Sequence, residues 1–388
     1  MMSFIWITIQ VLIGYNLVFP MILYLAYQLR RSHGEKTLTS NDRYDYAIIV
    51  TAYEQTHLLK SVVESLLKLN YQNYHIYIVA DNCDISGLLF SSEKVSVLRP
   101  KEVLANNLGS HFYAINRFIR EHDVLTIIDS DNLVHPEYIN ELNTYFERGF
   151  VAVQGVRKAK NLNTTIACLD AARDIYYDFY DGEVLFKLGS SSTLAGSGMA
   201  FKSEIYKQCL ADVTVTGAGF DKVLQAQLLR KGFRIAHAPE AIVYDEKTAH
   251  SDQLVNQRSR WINTWFKYAR FGVELVLRGI QNKSVNQFLF GVVLMRPPLF
   301  IFLLLSIVCL GINVFINIPM ALIWLLGLLV FVLSFIIVLE KKKCNKEIYK
   351  SLASIPKFIY FQLVALYYLR VANKKSVATK HSSLNTIQ

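Results

Sequence analysis

Two carboxylates one residue apart, Asp129 and Asp131, close the run Val124-Leu-Thr-Ile-Ile-Asp-Ser-Asp-Asn132. The β-branched stretch from Val124 to Ile128 reads as a buried strand. In open α/β sheets, ligands gather at the carboxyl ends of strands. Two hard oxygen ligands there suit Mg2+ or Mn2+, and such an ion usually arrives with a phosphate. The pair therefore reads as a metal–diphosphate site. The competing reading is a turn with two solvated acids, because an Asp-x-Asp arises by chance about once in a chain of this size. Other chemistry-bearing residues recur along the chain. Asp221 sits in the first turn of a helix opened by Gly219-Phe-Asp-Lys222, as a dipole partner or as a general base. The small-residue run Ser190 to Gly198 lets backbone approach a ligand; a flexible linker is the alternative. Gln257-Arg-Ser-Arg-Trp261 offers arginines to a phosphate and an aromatic face to a sugar ring.

The elements that must position these residues follow an α/β pattern from Asp45 onward. Strands are expected at Tyr46–Val50, running into Thr51-Ala-Tyr-Glu54, at Tyr74–Ala80, ending in Asp81-Asn-Cys-Asp84, and at Val95–Leu98. Helices are expected over Leu58–Leu69 and Asn107–Glu121, before the strand that carries Asp129. Alternating strands and helices imply a parallel sheet with right-handed crossovers. Such a sheet brings Thr51, Asp81 and Asp129 together at adjacent strand ends. Further on, Val151–Gly155 reads as a strand, Thr164–Phe186 has helical spacing, Gly219–Arg230 is a helix, and Arg234–Ala238 and Ala241–Asp245 read as two short strands. Neither a Gly-x-Gly-x-x-Gly after the first strand nor a Walker loop is present, which argues against a dinucleotide oxidoreductase and a P-loop ATPase.

Around this core the chain reads as membrane protein. Hydrophobic residues make up 52% of the 388 positions and charged ones 19%, too apolar for an ordinary soluble protein. Phe4 to Leu29 is long enough to cross a bilayer. It is followed by Arg30-Arg31, the reverse of a signal peptide's order, and so reads as a retained anchor with those arginines in the cytosol. Leu299–Ile316 and Met320–Leu339 form a hairpin of spans around Asn317-Ile-Pro319, flanked by Glu340-Lys-Lys-Lys343. Both ends of the hairpin then face the cytosol. Asp252 to about Leu277 mixes aromatic and basic residues like a helix at the membrane surface. Ile355–Leu369 is short, fitting an interfacial helix or a further span. The formal net charge of +10 fits anionic headgroups or nucleotide diphosphates better than nucleic acid, because the basic residues cluster beside apolar spans. Five scattered cysteines, with no Cys-x-x-Cys, indicate a reducing compartment and no structural zinc.

In order, Thr51-Ala-Tyr-Glu54, Asp81-Asn-Cys-Asp84, Asp129-Ser-Asp131, Gly196-Ser-Gly-Met-Ala-Phe201, Asp221, Tyr244-Asp-Glu246 and Gln257-Arg-Ser-Arg-Trp261 resemble membrane-embedded family 2 glycosyltransferases. That group has the GT-A fold, a Rossmann-like α/β nucleotide-diphospho-sugar transferase domain, and includes bacterial cellulose, hyaluronan and poly-N-acetylglucosamine synthases. The resemblance runs from about Asp45 to Trp261. It implies that Thr51, Tyr53, Glu54 and Asp81 hold the nucleoside, that Asp129 supports the nucleotide and shares the metal site, and that Asp131 ligates Mg2+ or Mn2+. Gly196, Ser197 and Gly198 would border the acceptor. Asp221 would be the base, and Gln257, Arg258, Arg260 and Trp261 would bind the diphosphate and the acceptor end. Two positions depart from the pattern: Phe220 replaces the Glu of the family's Glu-Asp pair, and Asn107-Leu-Gly-Ser110 lacks the frequent Gly-Lys.

The expected enzyme is an inverting hexosyl- or N-acetylhexosaminyltransferase. It would move sugar from a nucleotide sugar, expected to be a UDP-sugar, to a growing polysaccharide. Transfer of one sugar to a lipid-linked acceptor, and an inactive membrane scaffold, are the alternatives. The expected partners are the donor, a glycan or lipid-linked acceptor, membrane lipids and an oligomer or export partner, but no nucleic acid. The expected organisation is a membrane helix over 1–30, a cytosolic linker over 31–44, a GT-A domain over 45–250 and an interfacial region over 251–297. A membrane hairpin over 298–340 and a basic segment over 341–388, with a short helix over 355–370, complete it. The catalytic domain would face the cytosol at the inner membrane of the cell.

Overall fold

The computed structural model describes residues 2–30, 43–211, 213, 215 and 217–368. Arg31, most of the expected linker and the basic tail from Asn373 lie outside the described residues. Among those described, eight strands form one sheet: β1 (Tyr46–Tyr53), β2 (Tyr74–Asp81), β3 (Val95–Leu98), β4 (Val124–Asp129), β5 (Leu133–Val134), β6 (Ala152–Ala159), β7 (Met199–Lys202) and β8 (Ile235–Asp245). Their order is β3-β2-β1-β4-β7-β6-β8-β5. The first four are parallel, as their sequence pattern predicts. Both faces of this half are covered, which is why β1 and β2 are mostly apolar on both faces. Ile48 and Val50 pack into one hydrophobic core, while Ala47 and Ile49 pack into the other.

The second half is mixed rather than parallel. β7 leaves the Ser190–Gly198 loop and runs antiparallel between β4 and β6. β6 and β8 are parallel, with a register shift at Gly155/Val156. The two short strands expected after Arg234 are therefore one strand, bulged over Pro239, Glu240 and Ala241, where proline has no N–H to give the ladder. A Cβ on Gly155 would lie 2.3 Å from the Ala241 carbonyl oxygen, so the bulge needs glycine opposite it.

The helices in chain order are α1 (Met2–Leu29), α2 (Leu59–Leu66), α3 (Asn107–Ile115), α4 (Tyr138–Glu147), α5 (Thr165–Tyr177), α6 (Leu185–Lys187), α7 (Ser203–Leu210) and α8 (Phe220–Arg230). They continue as α9 (Ser251–Tyr268), α10 (Arg270–Gln281), α11 (Val285–Met295), α12 (Leu299–Ile316), α13 (Ile318–Lys341), α14 (Lys346–Ser351) and α15 (Ile355–Tyr367). A π-helical turn, Asp178–Val184, joins α5 to α6. α3 is shorter than expected because the chain turns at Asn116. The turn lays Phe118 against Tyr77 (ring centroids 4.6 Å apart) and the Ile119 N–H on the Tyr77 hydroxyl (2.9 Å). The amphipathic run expected over Asp252–Leu277 divides at Ala269 into α9 and α10.

Three helices among the described residues are long and apolar enough to cross a membrane: Phe4–Leu29, Leu299–Ile316 and Ile318–Lys341. Where lipid offers no hydrogen bonds, helices associate through small residues and shared polar contacts. Here Gln10 Oε1 accepts from Asn313 Nδ2 (2.7 Å) and Trp324 Nε1 (2.8 Å), joining α1, α12 and α13. Gly14 lets the Trp324 ring approach to 3.4 Å of where a Cβ would stand. Asn317 caps α13 by accepting from the Met320 N–H (3.1 Å), so the hairpin turn is tight. α15 has 13 residues, about 20 Å at 1.5 Å per residue, short of a bilayer core of about 30 Å. It packs on α9 and α12 through Ala365, Ile262 and Phe300, which favours the interfacial alternative.

Candidate active site

The strand ends meet as the parallel register requires. Thr51 pairs with Asp129 across β1 and β4, and Tyr53 with Asp81 across β1 and β2. Asp81 is buried, and its carboxylate accepts the N–H groups of Leu104 (3.0 Å) and Ala105 (2.7 Å). It thereby fixes the loop that leads to the Asn106 cap of α3. Thr51, Tyr53, Asp81 and Asn107 line a recess of about 30 Å³. Thr51, Tyr53 and Asn107 also border a cavity of about 620 Å³, together with Asp129, Asp131, Gly196, Asp221, Gln257, Arg258, Arg260 and Trp261. Glu54 lines neither: it is exposed, at φ +61°, with Asn82 Nδ2 3.3 Å from its carboxylate.

The loop after β4 is held from behind. The Asp129 N–H donates to Ser197 Oγ (3.0 Å), and that hydroxyl donates to Asn132 Oδ1 (2.5 Å). Asn132 Nδ2 donates in turn to Asp131 (3.1 Å) and Asp245 (3.3 Å). Ser197 and Gly198 therefore support the site rather than line it, and Gly196 alone of the three reaches the cavity. The run is no flexible linker: Gln154 Nε2 donates to the Ser197 carbonyl (3.0 Å), and the Gly198 carbonyl accepts from the Gly155 N–H (2.8 Å).

Asp129 is half-buried, and its pKa is pushed from 3.8 up to about 7, first by burial and then by the Asp131 carboxylate. Asp245 and Asp221 add to the rise, and Arg157 opposes it. Crowded carboxylates of this kind are the donor set that a hard divalent cation satisfies. Asp129 and Asp131 thus fit Mg2+ or Mn2+, with further coordination left to a diphosphate. Among the described residues, no group of three or more His, Cys, Asp or Glu could hold a metal without such help.

Asp221 reaches the cavity because of Gly219, which adopts φ +107°. A Cβ there would stand 2.6 Å from the Tyr268 ring and 2.8 Å from Thr264, so α8 begins flush against α9. The neighbouring Phe220 is buried edge-on to His111, with centroids 4.9 Å apart. Lys222 Nζ lies 3.5 Å from Asp221. On α9, Arg258 is 2% exposed and pairs with Asp170. Burial, and then Arg173, lower its pKa to about 10. Arg258 and Arg173 each place a guanidinium 4.3 Å from the centre of the Trp261 ring. Gln257 Oε1 accepts from the Thr248 hydroxyl (3.2 Å).

The wall that α5 and the π-helical turn build beside α9 was not expected from the sequence. Asp170, Arg173, Asp174, Tyr177 and Asp181 all face the cavity. Their spacing of i, i+3, i+4, i+7 and i+11 was a visible helical stripe. Arg157 lies 3.6 Å from Asp174 and 3.5 Å from Asp245, and Lys247 bridges the same two acids at 2.6 and 2.8 Å. Burial alone would raise Asp174, but Lys247, Arg173 and Arg157 hold it well below its usual range.

The family described as glycosyltransferase-like family 2 matches residues 43–264, more than half of the chain. The chain belongs to this family. Residues 43–264 span the sheet, most of α9 and most of the polar part of the cavity lining, including Asp129, Asp131 and Asp221. No curated protein matches the sequence. Among solved structures, the mannosyltransferase PcManGT from Pyrobaculum calidifontis, in complex with GDP-Man and Mn2+, is similar. It has 11% identity, a TM-score of 0.57, and 95% of this chain and 99% of that one covered. S. aureus TarS (residues 1–349) superposes more loosely, at 13% identity and a TM-score of 0.42 over 64% of this chain and 71% of that one. The fold of this glycosyltransferase is thus GT-A, as the sequence motifs imply, with apolar helices on both sides of the catalytic sheet.

Proposed function

We infer that the protein is an inverting, membrane-bound glycosyltransferase that uses a nucleoside-diphosphate sugar at the cytosolic face. The supporting observation is the convergence of Thr51, Asp129, Asp131 and Asp221 on one cavity with the arginines of α9. Thr51, Tyr53 and Asp81 take the nucleoside, and Arg258 and Arg260 take the diphosphate. Asp129 and Asp131 hold Mg2+ or Mn2+, which offsets the charge of the leaving diphosphate when bound. An acceptor hydroxyl is a weak nucleophile, so the Asp221 carboxylate removes its proton as the new bond forms. The arginines stabilise the charge that grows on the leaving group. Direct displacement inverts the anomeric carbon, so an α-linked donor gives a β-linked product.

By motif order the reading places the protein with synthases of extracellular polysaccharide. A second reading, one sugar added to a lipid-linked acceptor, is favoured by the cavity itself, whose far end is lined by Pro298, Leu299 and Phe300 at the start of the membrane hairpin. In both readings the GT-A domain spans about 45–250, and the chain crosses the inner membrane three times. The test is a donor screen on the full chain, reading released nucleoside diphosphate with and without EDTA, starting with UDP-sugars. A metal-dependent release that Asp221→Asn abolishes, while nucleotide binding survives, is expected. Full activity in that variant would remove Asp221 from its role. Product ladders rather than a single addition separate the polysaccharide reading from the lipid-linked one.

A further inference from the structure

Part of the lining of the large cavity has no role in the proposed binding of the donor. The cavity extends to the mouth of the membrane hairpin, where Leu294, Pro297, Pro298, Leu299 and Phe300 line it. These apolar residues surround one cation. Arg296, 6% exposed, occupies the break between α11 and α12. Its Nη1 donates to Asp181 Oδ1 (2.8 Å) and its Nη2 to the Tyr176 hydroxyl (3.3 Å). Its Nε is buried with no partner. Arg258 lines the same cavity, with its Nε and Nη1 equally unmet. Leaving guanidinium donors dry and unbonded is costly. An anion removes that cost, and the planar fork matches phosphate oxygens. A neutral glycan supplies no such charge. An anion reaching Arg296 past Leu299 and Phe300 comes with an apolar chain attached.

We propose that Arg296 binds the phosphate of a lipid-linked acceptor, its tail leaving along Leu299 and Phe300 and its sugar extending toward Asp221. This rests on the lipid-linked form of the glycosyltransferase reading and assigns the residue that recognises its acceptor. The phosphate is a handle, and no bond to phosphorus forms or breaks.

The test uses the full chain in nanodiscs of zwitterionic phospholipid, with labelled farnesyl monophosphate as probe and farnesol and inorganic phosphate as competitors. Farnesyl monophosphate is expected to bind at least ten-fold tighter than either competitor. Arg296→Gln should erase that preference, and Arg296→Lys should keep part of it. Retention of a nucleoside diphosphate with Mn2+ by the Gln variant reports that it is folded. If it is not folded, the wild-type comparison alone decides. Equal binding of farnesol and its phosphate by the wild type overturns the proposal. So does competition by inorganic phosphate at the same concentration, which would point to a free-phosphate site. Absence of nucleotide binding in the wild type would instead sink the glycosyltransferase reading, so the two failures are distinct.

Discussion

Replacing Asp170 with Asn separates two roles of Arg258. The Asp170 and Arg258 side chains are 4% and 3% exposed, and Asp170 also lies 3.3 Å from Arg173. Removing one partner of a buried pair costs about 3–5 kcal/mol, because the other charge remains dry. At about 2–4 °C per kcal/mol for a unit the size of residues 43–264, the melting temperature should fall by about 6–20 °C. If Arg258 is also a diphosphate ligand, the nucleotide becomes its main counter-charge in Asp170→Asn. A ten-fold gain in nucleotide affinity is worth about 1.4 kcal/mol. Saturating nucleoside diphosphate with Mn2+ should then raise the melting temperature of the variant by about 3–6 °C more than that of the wild type. The assay is thermal unfolding in detergent with and without nucleotide, and Arg258→Gln as a second change should cancel the extra rise. A nucleotide-induced shift no larger in Asp170→Asn than in the wild type would refute the argument and leave Arg258 a purely structural cation.

Asp129 supplies a pH prediction. Its folded-state pKa, about 7, stands above the usual 3.8, so the folded protein holds a proton that the unfolded chain has lost. That contribution to stability is present below about pH 4 and declines as pH rises through 7; added Mn2+ should therefore raise the melting temperature more at pH 8 than at pH 5, and Asp129→Asn should remove the difference. Gly219→Ala should lower activity at least ten-fold and also destabilise the fold, because its Cβ would stand 2.6 Å from Tyr268 at a φ of +107°; an unchanged rate constant and melting curve would show that α8 can shift without cost. Gln10→Leu should cost about 0.6–2 kcal/mol, since Trp324 loses its acceptor and Asn313 keeps only the Cys309 carbonyl; thermal unfolding in nanodiscs checks it.

The parallel strands β1 to β4, the paired apolar helices α12 and α13 and the meeting of Thr51 with Asp129 were legible in sequence, because β-branched runs and long apolar runs are local patterns. Phe220 was legible as a departure, though its burial against His111 was not. What escaped depends on distant contacts. Asp170, Arg173 and Asp174 look like an ordinary charged helix face until β6 brings Arg157, and β8 brings Asp245, beside them. The antiparallel return of β7 was equally hidden, since Met199-Ala-Phe201 is too short to reveal its direction. Ser197 and Gly198 read as ligand-facing because small residues permit close approach; here what approaches Gly198 is the Val243 side chain of β8.

The polar contact at Gln10 gives the N-terminal span a keyed orientation. With its amide oxygen shared by Asn313 and Trp324, α1 has one rotational setting against the hairpin. Far along the same helix, that setting aims the Tyr27 hydroxyl at Glu183 (3.1 Å), an acid of the π-helical turn that Lys342 also grips (2.8 Å). The next acid back in that turn, Asp181, is the partner of Arg296. An equally long and equally apolar substitute could still traverse a bilayer. It would do so at an arbitrary angle, and the cavity would lose one of the struts that hold its membrane-side wall.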